Sequence, residues 1–323
     1  MEYRYLPGTG LAVSRLSLGT MMFGGQTSEE DSIKIVDCAL DGGINVVDTA
    51  DMYNAGLSEV AVGKALKGKR GNVILATKVC NKMSDDINDR GLNRRHIIAG
   101  CEASLKRLQT DYIDIYYMHT PDYKTPLEET LDAMSQLVRD GKVRYIGFSN
   151  YASWQAADIM HISEKQNGVK PVITQNVYNL LTRGIEEELI PFCKAHKVGL
   201  TVYNPIAAGL LTGKHKYGER PDPDTRFAQK KNYADRYWSE KNFVALDAFL
   251  KLAEECGMPI IEFAMKWIAQ NDAVDSILTG VSKISQLEQN LTLLDGEPIP
   301  ADAMKKADEI YAELTGNRFK YNR

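Results

Sequence analysis

The chain has 323 residues, 44% of them hydrophobic and 25% charged, with 39 Lys and Arg against 43 Asp and Glu. A net charge of −4 gives no reason to expect nucleic acid or an anionic membrane as partner. No apolar run is long enough to span a bilayer, and the first residues carry no signal-like apolar stretch. Five scattered cysteines without a Cys-x-x-Cys pair fit neither a disulfide framework nor a metal site and suit a reducing, cytoplasmic setting.

Residues 3–14 read as a hairpin turning at Pro7-Gly8-Thr9-Gly10. Gly8-Thr-Gly10 is not a dinucleotide fingerprint, because no buried strand precedes it and no third glycine follows. A first strand at 16–20 leads to a helix capped by Ser28 and stopped by Gly42-Gly43 near 41. Strands at 45–48, 73–77 and 113–118 then alternate with helices at 58–66, 93–108 and one opening at Pro126. The second half repeats the rhythm, with strands at 143–148, 172–175 and 199–203 and helices at 152–163 and 185–196. A long polar segment at 207–238 precedes helices at 239–256 and 260–270, a last strand at 276–279, a helix at 284–294 and a closing helix at 301–314. The Asn290-Leu-Thr292 match to a glycosylation acceptor is a chance match in such a chain. Eight strands alternating with helices and no linker predict one parallel sheet. With the glycine fingerprint missing at the first strand, the expected fold is a (β/α)₈ TIM barrel. It has an N-terminal β-hairpin, a long loop after strand 7 and extra C-terminal helices, all in a single domain over 1–323.

In such a barrel the C-terminal strand ends form the active-site rim. Three consecutive strands deliver Asp48, Lys78 and His119 there, and Tyr53 follows Asp48 in the next loop. Each alone has a bland reading as a rim aromatic, a solvated lysine or a surface histidine. Together they match the needs of carbonyl reduction, in which a proton must reach the developing alkoxide. A free tyrosine, with a pKa of about 10, is a reluctant acid at neutral pH. The Lys78 ammonium would lower that value, Asp48 would keep Lys78 charged, and His119 would orient and hydrogen-bond the carbonyl oxygen.

These residues sit in longer motifs: Asp-Thr-Ala-x-x-Tyr at 48–53, Gly56-x-Ser58-Glu59, Thr77-Lys78, Tyr117-x-His119, Gly147-Phe-Ser-Asn150, Gln175, Tyr203-Asn-Pro205 and Gly209-Leu-Leu-Thr-Gly-Lys214. In this order over essentially the whole chain, the sequence resembles the aldo-keto reductase family. It is closer to the long-loop branch of bacterial aldo/keto reductases and potassium-channel β subunits than to the shorter aldose-reductase-like branch. The resemblance implies an NADPH-dependent oxidoreductase that reduces an aldehyde or ketone, with Asp48, Tyr53, Lys78 and His119 catalytic. It implies that Ser149, Asn150 and Gln175 hold the nicotinamide carboxamide, that Tyr203 stacks under the ring, and that Gly19, Thr20 and Asp48 line the ribose side. Asn204, Pro205, Gly209, Leu210, Thr212, Lys214 and Arg226 would follow the pyrophosphate. Gly280, Ser282, Gln286 and Asn290 would hold the adenosine end.

Two alternatives share these residues: a regulatory nucleotide-binding subunit with incidental turnover, and a dehydrogenase acting mainly on an alcohol or sugar. For the cofactor, Thr279 and Gln286 stand where the shorter branch places a Lys and an Arg for the 2′-phosphate, which leaves NADH possible. Ser282 and Lys283 at a helix N-terminus, Gln286 and Arg226 favour NADPH. The partner is a small carbonyl or alcohol compound, met by walls from Phe23, Met52, the segment after His119, the long loop and the tail near Phe319 and Tyr321. Oligomeric state is not legible in these residues.

Overall fold

The computed structural model describes residues 1–223 and 225–316, so Phe319 and Tyr321 lie outside the described residues. Its strands are β1 (Tyr3–Tyr5), β2 (Ala12–Ser14), β3 (Leu16–Gly19), β4 (Val46–Asp48), β5 (Ile74–Val79), β6 (Ile113–Met118), β7 (Val143–Ser149), β8 (Ile173–Val177), β9 (Gly199–Tyr203) and β10 (Ser276–Gly280). Its helices are α1 (Glu29–Asp41), α2 (Leu57–Ala65), α3 (Arg94–Leu108), α4 (Leu127–Arg139), α5 (Ser153–Lys165), α6 (Leu189–His196), α7 (Arg226–Gln229), α8 (Lys231–Tyr237), α9 (Glu240–Glu255), α10 (Ile260–Ala269), α11 (Ile284–Thr292) and α12 (Ala301–Thr315). β1 and β2 form the antiparallel hairpin, and β3 to β10 close into a parallel barrel in sequence order, β10 pairing with β3. The (β/α)₈ barrel expected from the alternation is the fold observed.

The chain divides into two compact units. The first comprises Met1–Asn176, Ile185–Tyr203 and Ala273–Leu291 and contains the barrel strands apart from Val177. In it, side chains alternate across each strand with period two. Val46, Ile74, Ala76, Ile115, Tyr117 and Ile173 turn inward and pack with Leu6 and Val13. The hairpin thus plugs the N-terminal end of the barrel and leaves the C-terminal rim for chemistry. Local capping sets the helix starts: Ser28 accepts from the Asp31 amide before α1, and Asn93 from the His96 amide before α3.

The second unit comprises Val177–Gly184, Asn204–Asp272 and the chain from Thr292. Two expectations need correcting. The helix expected at 185–196 is a short 3₁₀ turn, Gly184–Glu186, followed by α6 from Leu189. Begun at 185, it would hold Pro191 in its interior, where the missing N–H breaks a bond; in α6 Pro191 sits in the first turn, where no bond is lost. The polar segment at 207–238 contains a 3₁₀ stretch (Ala207–Thr212), α7 and α8. It buries Phe227 and Tyr237, and the rings of His215, Phe227 and Trp238 meet pairwise at 5.2–5.3 Å. Its polar composition hid those few aromatic anchors. Among the described residues no helix is long and apolar enough to cross a membrane.

Candidate active site

The period of two that fills the barrel also delivers its site. Asp48 follows Val46 by two residues, Lys78 follows Ala76, His119 follows Tyr117, Gln175 follows Ile173 and Tyr203 follows Thr201. The same parity that turns the apolar set inward therefore turns these polar residues inward one layer higher. The register agrees, since Gly19 pairs with both Asp48 and Gly280, Lys78 with Tyr117, and Ser149 with Gln175.

Asp48 and Lys78 are fully buried as an ion pair, Nζ to Oδ1. Lys78 Nζ also donates to the Thr49 carbonyl at 2.7 Å, and Gln175 Nε2 donates to Asp48 Oδ2 at 2.8 Å. Burial works against the charge on Lys78, but Asp48 and Tyr53 outweigh it, and its pKa stands above the ordinary lysine value. Tyr53, half-buried at the start of a 3₁₀ turn, has its ring centre 5.1 Å from Lys78 Nζ and meets the His119 ring edge-on at 5.9 Å. Burial, and then the Lys78 charge, lowers the His119 pKa to about 3, so the imidazole is neutral at physiological pH. The structure brings all four expected catalytic residues together.

The loop between Asp48 and Glu59 carries a supporting layer that sequence reasoning named only as a motif. Ser58 Oγ donates to the Thr20 carbonyl at 2.7 Å and touches the hydroxyls of Thr20 and Thr49. Glu59, buried, receives Thr77 Oγ1 and Arg107 Nε, both at 2.6 Å. Gly56 has φ 90°, and a Cβ there would meet Arg107 Cδ at 2.9 Å. Asp51 was missed. It is 1% exposed, neither oxygen has a well-formed hydrogen bond, and burial, then Glu59, raises its pKa to about 8. A carboxylate inside an otherwise small-residue stretch was the available signal.

The residues expected at the nicotinamide carboxamide and ring lie on β7, β8 and β9 of the first unit, with Asn150 immediately after β7. Ser149 Oγ donates to the Gln175 carbonyl (2.7 Å), and Asn150 Nδ2 donates to the His119 carbonyl (3.1 Å) and to Ser149 Oγ (3.0 Å). Tyr203 Oη donates to Asn150 Oδ1 (2.7 Å). With those donors engaged, Ser149 and Asn150 offer outward mainly acceptor capacity, which fits the NH₂ of a carboxamide. Asn150 holds φ 65°, a left-handed conformation uncommon outside glycine. Thr20 is buried with its hydroxyl on the Asp48 carbonyl.

At the adenosine end, Thr279 does not face solvent; it is buried, its hydroxyl donating to the Ser17 carbonyl at 3.1 Å. Gln286 Oε1 instead accepts from the amides of Ser282 (2.9 Å) and Lys283 (3.2 Å) at the N-terminus of α11. Asn290 lies further along α11, half-buried. In the second unit, Asn204, Ala207, Ala208 and Gly209 all have positive φ, a run of strained backbone such as ligand loops use. A Cβ built on Gly209 meets nothing within 4 Å, so one face of that loop is open. Asn204 closes the loop on the Ala208 amide (2.6 Å) and on Tyr237 (2.7 Å), and Thr212 on the Gly209 carbonyl (2.6 Å). Pro205 and Leu210 are buried, Lys214 is exposed, and Arg226 begins α7 with its guanidinium 5.9 Å from the Tyr233 ring centre.

A closed parallel barrel with this rim is the setting in which the comparisons with known proteins fall. The profile of the Aldo/keto reductase family matches residues 15–312. The aldo-keto reductase YhdN of Bacillus subtilis is 40% identical over 320 residues, covering 96% of this chain and 93% of its own length. A probable voltage-gated potassium channel subunit beta of Arabidopsis thaliana is 35% identical over 306 residues, 93% of each chain. The human aflatoxin B1 aldehyde reductase member 2 is 34% identical over 323 residues, 94% of this chain and 89% of its own. The chain belongs to the aldo/keto reductase family. It is an NAD(P)H-dependent oxidoreductase.

Proposed function

We propose that the protein reduces an aldehyde or ketone to the alcohol, with NADPH as the preferred cofactor and Tyr53 as the proton donor. The observation that carries this reading is the buried Lys78 ammonium, fixed by Asp48 and the Thr49 carbonyl and lying 5.1 Å from the Tyr53 ring centre. A nicotinamide held by Ser149, Asn150, Gln175 and Tyr203 would supply the hydride that the carbonyl carbon takes up. Tyr53 gives its hydroxyl proton to the oxygen that becomes negative, and Lys78 stabilises the tyrosinate left behind. Neutral His119 donates a hydrogen bond to that same oxygen. Tyr53 then regains its proton from solvent. On this reading residues 1–323 act as one catalytic domain.

The preference for NADPH rests on the α11 N-terminus. The Ser282 and Lys283 amides converge there on Gln286 Oε1, and a phosphate oxygen is a stronger acceptor for the same donors. Ser149, Asn150, Gln175 and Tyr203 serve the nicotinamide end. Arg226 adds positive charge, so Arg226→Ala weakens both cofactors and NADPH more. Equal dissociation constants for NADPH and NADH would sink the preference.

The relatives named as aldehyde reductases favour turnover, and those named as channel β subunits favour a regulatory nucleotide-binding role. The presence of Tyr53, Lys78, Asp48 and His119 in one cluster favours the enzyme. The test is a panel of aldehydes and ketones followed by NADPH oxidation, with Tyr53→Phe beside the wild type. The variant is expected to bind NADPH normally and to lose nearly all turnover. Retention of more than about a tenth of the rate would contradict general acid catalysis, which typically supplies about 10²–10⁴-fold.

A further inference from the structure

His119 is held at both ends of its backbone, its amide donating to the Val79 carbonyl (2.9 Å) and its carbonyl accepting from Asn150. Its ring is held by a residue that neither the sequence motifs nor the catalytic cluster includes. Asn81 Nδ2 stands 3.1 Å from His119 Nδ1. An amide nitrogen has hydrogens and no lone pair to share, so it can only donate. With the Asn81 amide turned as it is here, its NH₂ faces Nδ1, which accepts, and in a neutral imidazole the single ring proton then resides on Nε2.

The backbone is bent to bring Asn81 there. Cys80, immediately before it, has φ 156°, a region that non-glycine residues seldom occupy. That conformation is pinned by the Gly91 amide on the Cys80 carbonyl (2.6 Å) and by contact of Cys80 Sγ with Thr120 Oγ1 (3.3 Å). The turn follows Lys78 by two residues and Thr120 follows His119 by one, so the pin ties the two catalytic strand ends together. Strain of this kind persists only where the surroundings enforce it.

We propose that Asn81 is a positioning residue that fixes His119 as its Nε2–H tautomer, so that the ring presents a donor, and not a lone pair, to the oxygen of the carbonyl being reduced. The second half of this statement rests on the carbonyl-reductase reading above; the first half does not. Asn81→Asp keeps the shape and reverses the chemistry, because a carboxylate only accepts. It draws the proton to Nδ1 and turns the Nε2 lone pair toward the substrate. A carboxylate beside the ring also favours the doubly protonated imidazolium, in which Nε2 donates again.

The test is two-bond ¹H–¹⁵N spectroscopy of histidine-labelled protein without cofactor, with His119→Asn used to assign the ring signals. It is paired with the pH dependence of kcat for one good aldehyde. Wild type is expected to show Nε2 protonated, and Asn81→Asp to show Nδ1 protonated. At neutral pH kcat is expected to fall by about 10²-fold, the cost of losing one such donor, with KM little changed and activity partly restored as pH falls. Asn81→Leu, which is similar in size and has no donor, is expected to show both tautomers and an intermediate rate, and serves if the Asp variant fails to fold. Wild-type protein protonated at Nδ1, or variants with the wild-type ring spectrum, would overturn the assignment to Asn81. A reversed tautomer with unchanged kcat would uphold it and overturn instead the role of His119 as donor.

Discussion

Replacing Asp51 with asparagine exchanges one carboxyl oxygen for NH₂ at a position 1% exposed, between β4 and the Tyr53 turn. Burial and then Glu59 push this carboxyl from 3.8 to about 8, against smaller opposing effects of the Met52 amide, Arg107 and Lys78. Between these two values the folded protein binds a proton that the unfolded chain does not, so stability falls as pH rises across that window. Each pH unit costs about 1.4 kcal/mol, so the gap amounts to about 6 kcal/mol in full and about 4 kcal/mol at pH 7, as upper bounds. The substituted amide would be neutral at every pH and free of this dependence, while resembling the protonated acid in shape. Urea denaturation of wild type and Asp51→Asn at several pH values from about 4.5 to 8.5 measures the effect. The two should be close in stability at the acid end. The variant's advantage should widen by about 1.4 kcal/mol per pH unit toward pH 8 and then level off. Parallel pH profiles, or a variant less stable than wild type at pH 8, would refute the reasoning.

Lys78→Met removes the charge proposed to stabilise tyrosinate and strands Asp48; turnover should collapse, and stability should drop by about 3–5 kcal/mol for a buried charge left without its partner. A Lys78→Met enzyme with an unaltered pH–rate profile would show that Lys78 does not tune Tyr53. Gln286→Glu places a carboxylate where the amide oxygen now accepts from Ser282 and Lys283. Titration calorimetry should find NADPH weakened by about tenfold or more and NADH nearly unaffected, and equal loss for both cofactors would exclude a phosphate at this helix end. Gly147→Ala puts a Cβ 2.6 Å from Tyr117 Cε1 and 2.9 Å from Ile173 Cγ2. Overpacking of this kind should cost about 1–3 kcal/mol, and an unchanged melting temperature would show that Tyr117 shifts freely.

The alternation of apolar runs and capped amphipathic segments made the barrel legible, because period and capping are local properties. Asp48, Lys78 and His119 were legible for the same reason, as polar residues ending buried strands. Asn81 was not, since its role depends on a strained turn at Cys80 and on a partner 38 positions away. The pairing of Glu59 with Arg107 spans 48 positions, and neither residue's own segment hints at it. Thr279, which stands where the shorter branch places a charged residue for the 2′-phosphate, turns its hydroxyl to the Ser17 carbonyl, a contact 262 positions apart that its own segment does not announce.

The layers of the barrel separate folding from chemistry within one set of strands. The lower layer, with Val46, Ile74, Ala76, Ile115 and Ile173 packed on Leu6 and Val13, is apolar. Above it lie Asp48, Lys78 and Gln175, buried yet polar and joined by hydrogen bonds, with Tyr117 of the layer below bonding both Gln175 and Thr201. Fold stability alone gives little reason for that second layer. A buried ion pair contributes weakly, because desolvation cancels most of the attraction, and apolar residues of equal volume often pack as well or better. What the pair does achieve is a fixed ammonium at a depth where water cannot screen it, directed at one phenol on the rim. Asp48 and the Thr49 carbonyl hold that ammonium, and Ser58 in turn holds the Thr49 hydroxyl, so the charge stands at a fixed place 5.1 Å from the Tyr53 ring centre.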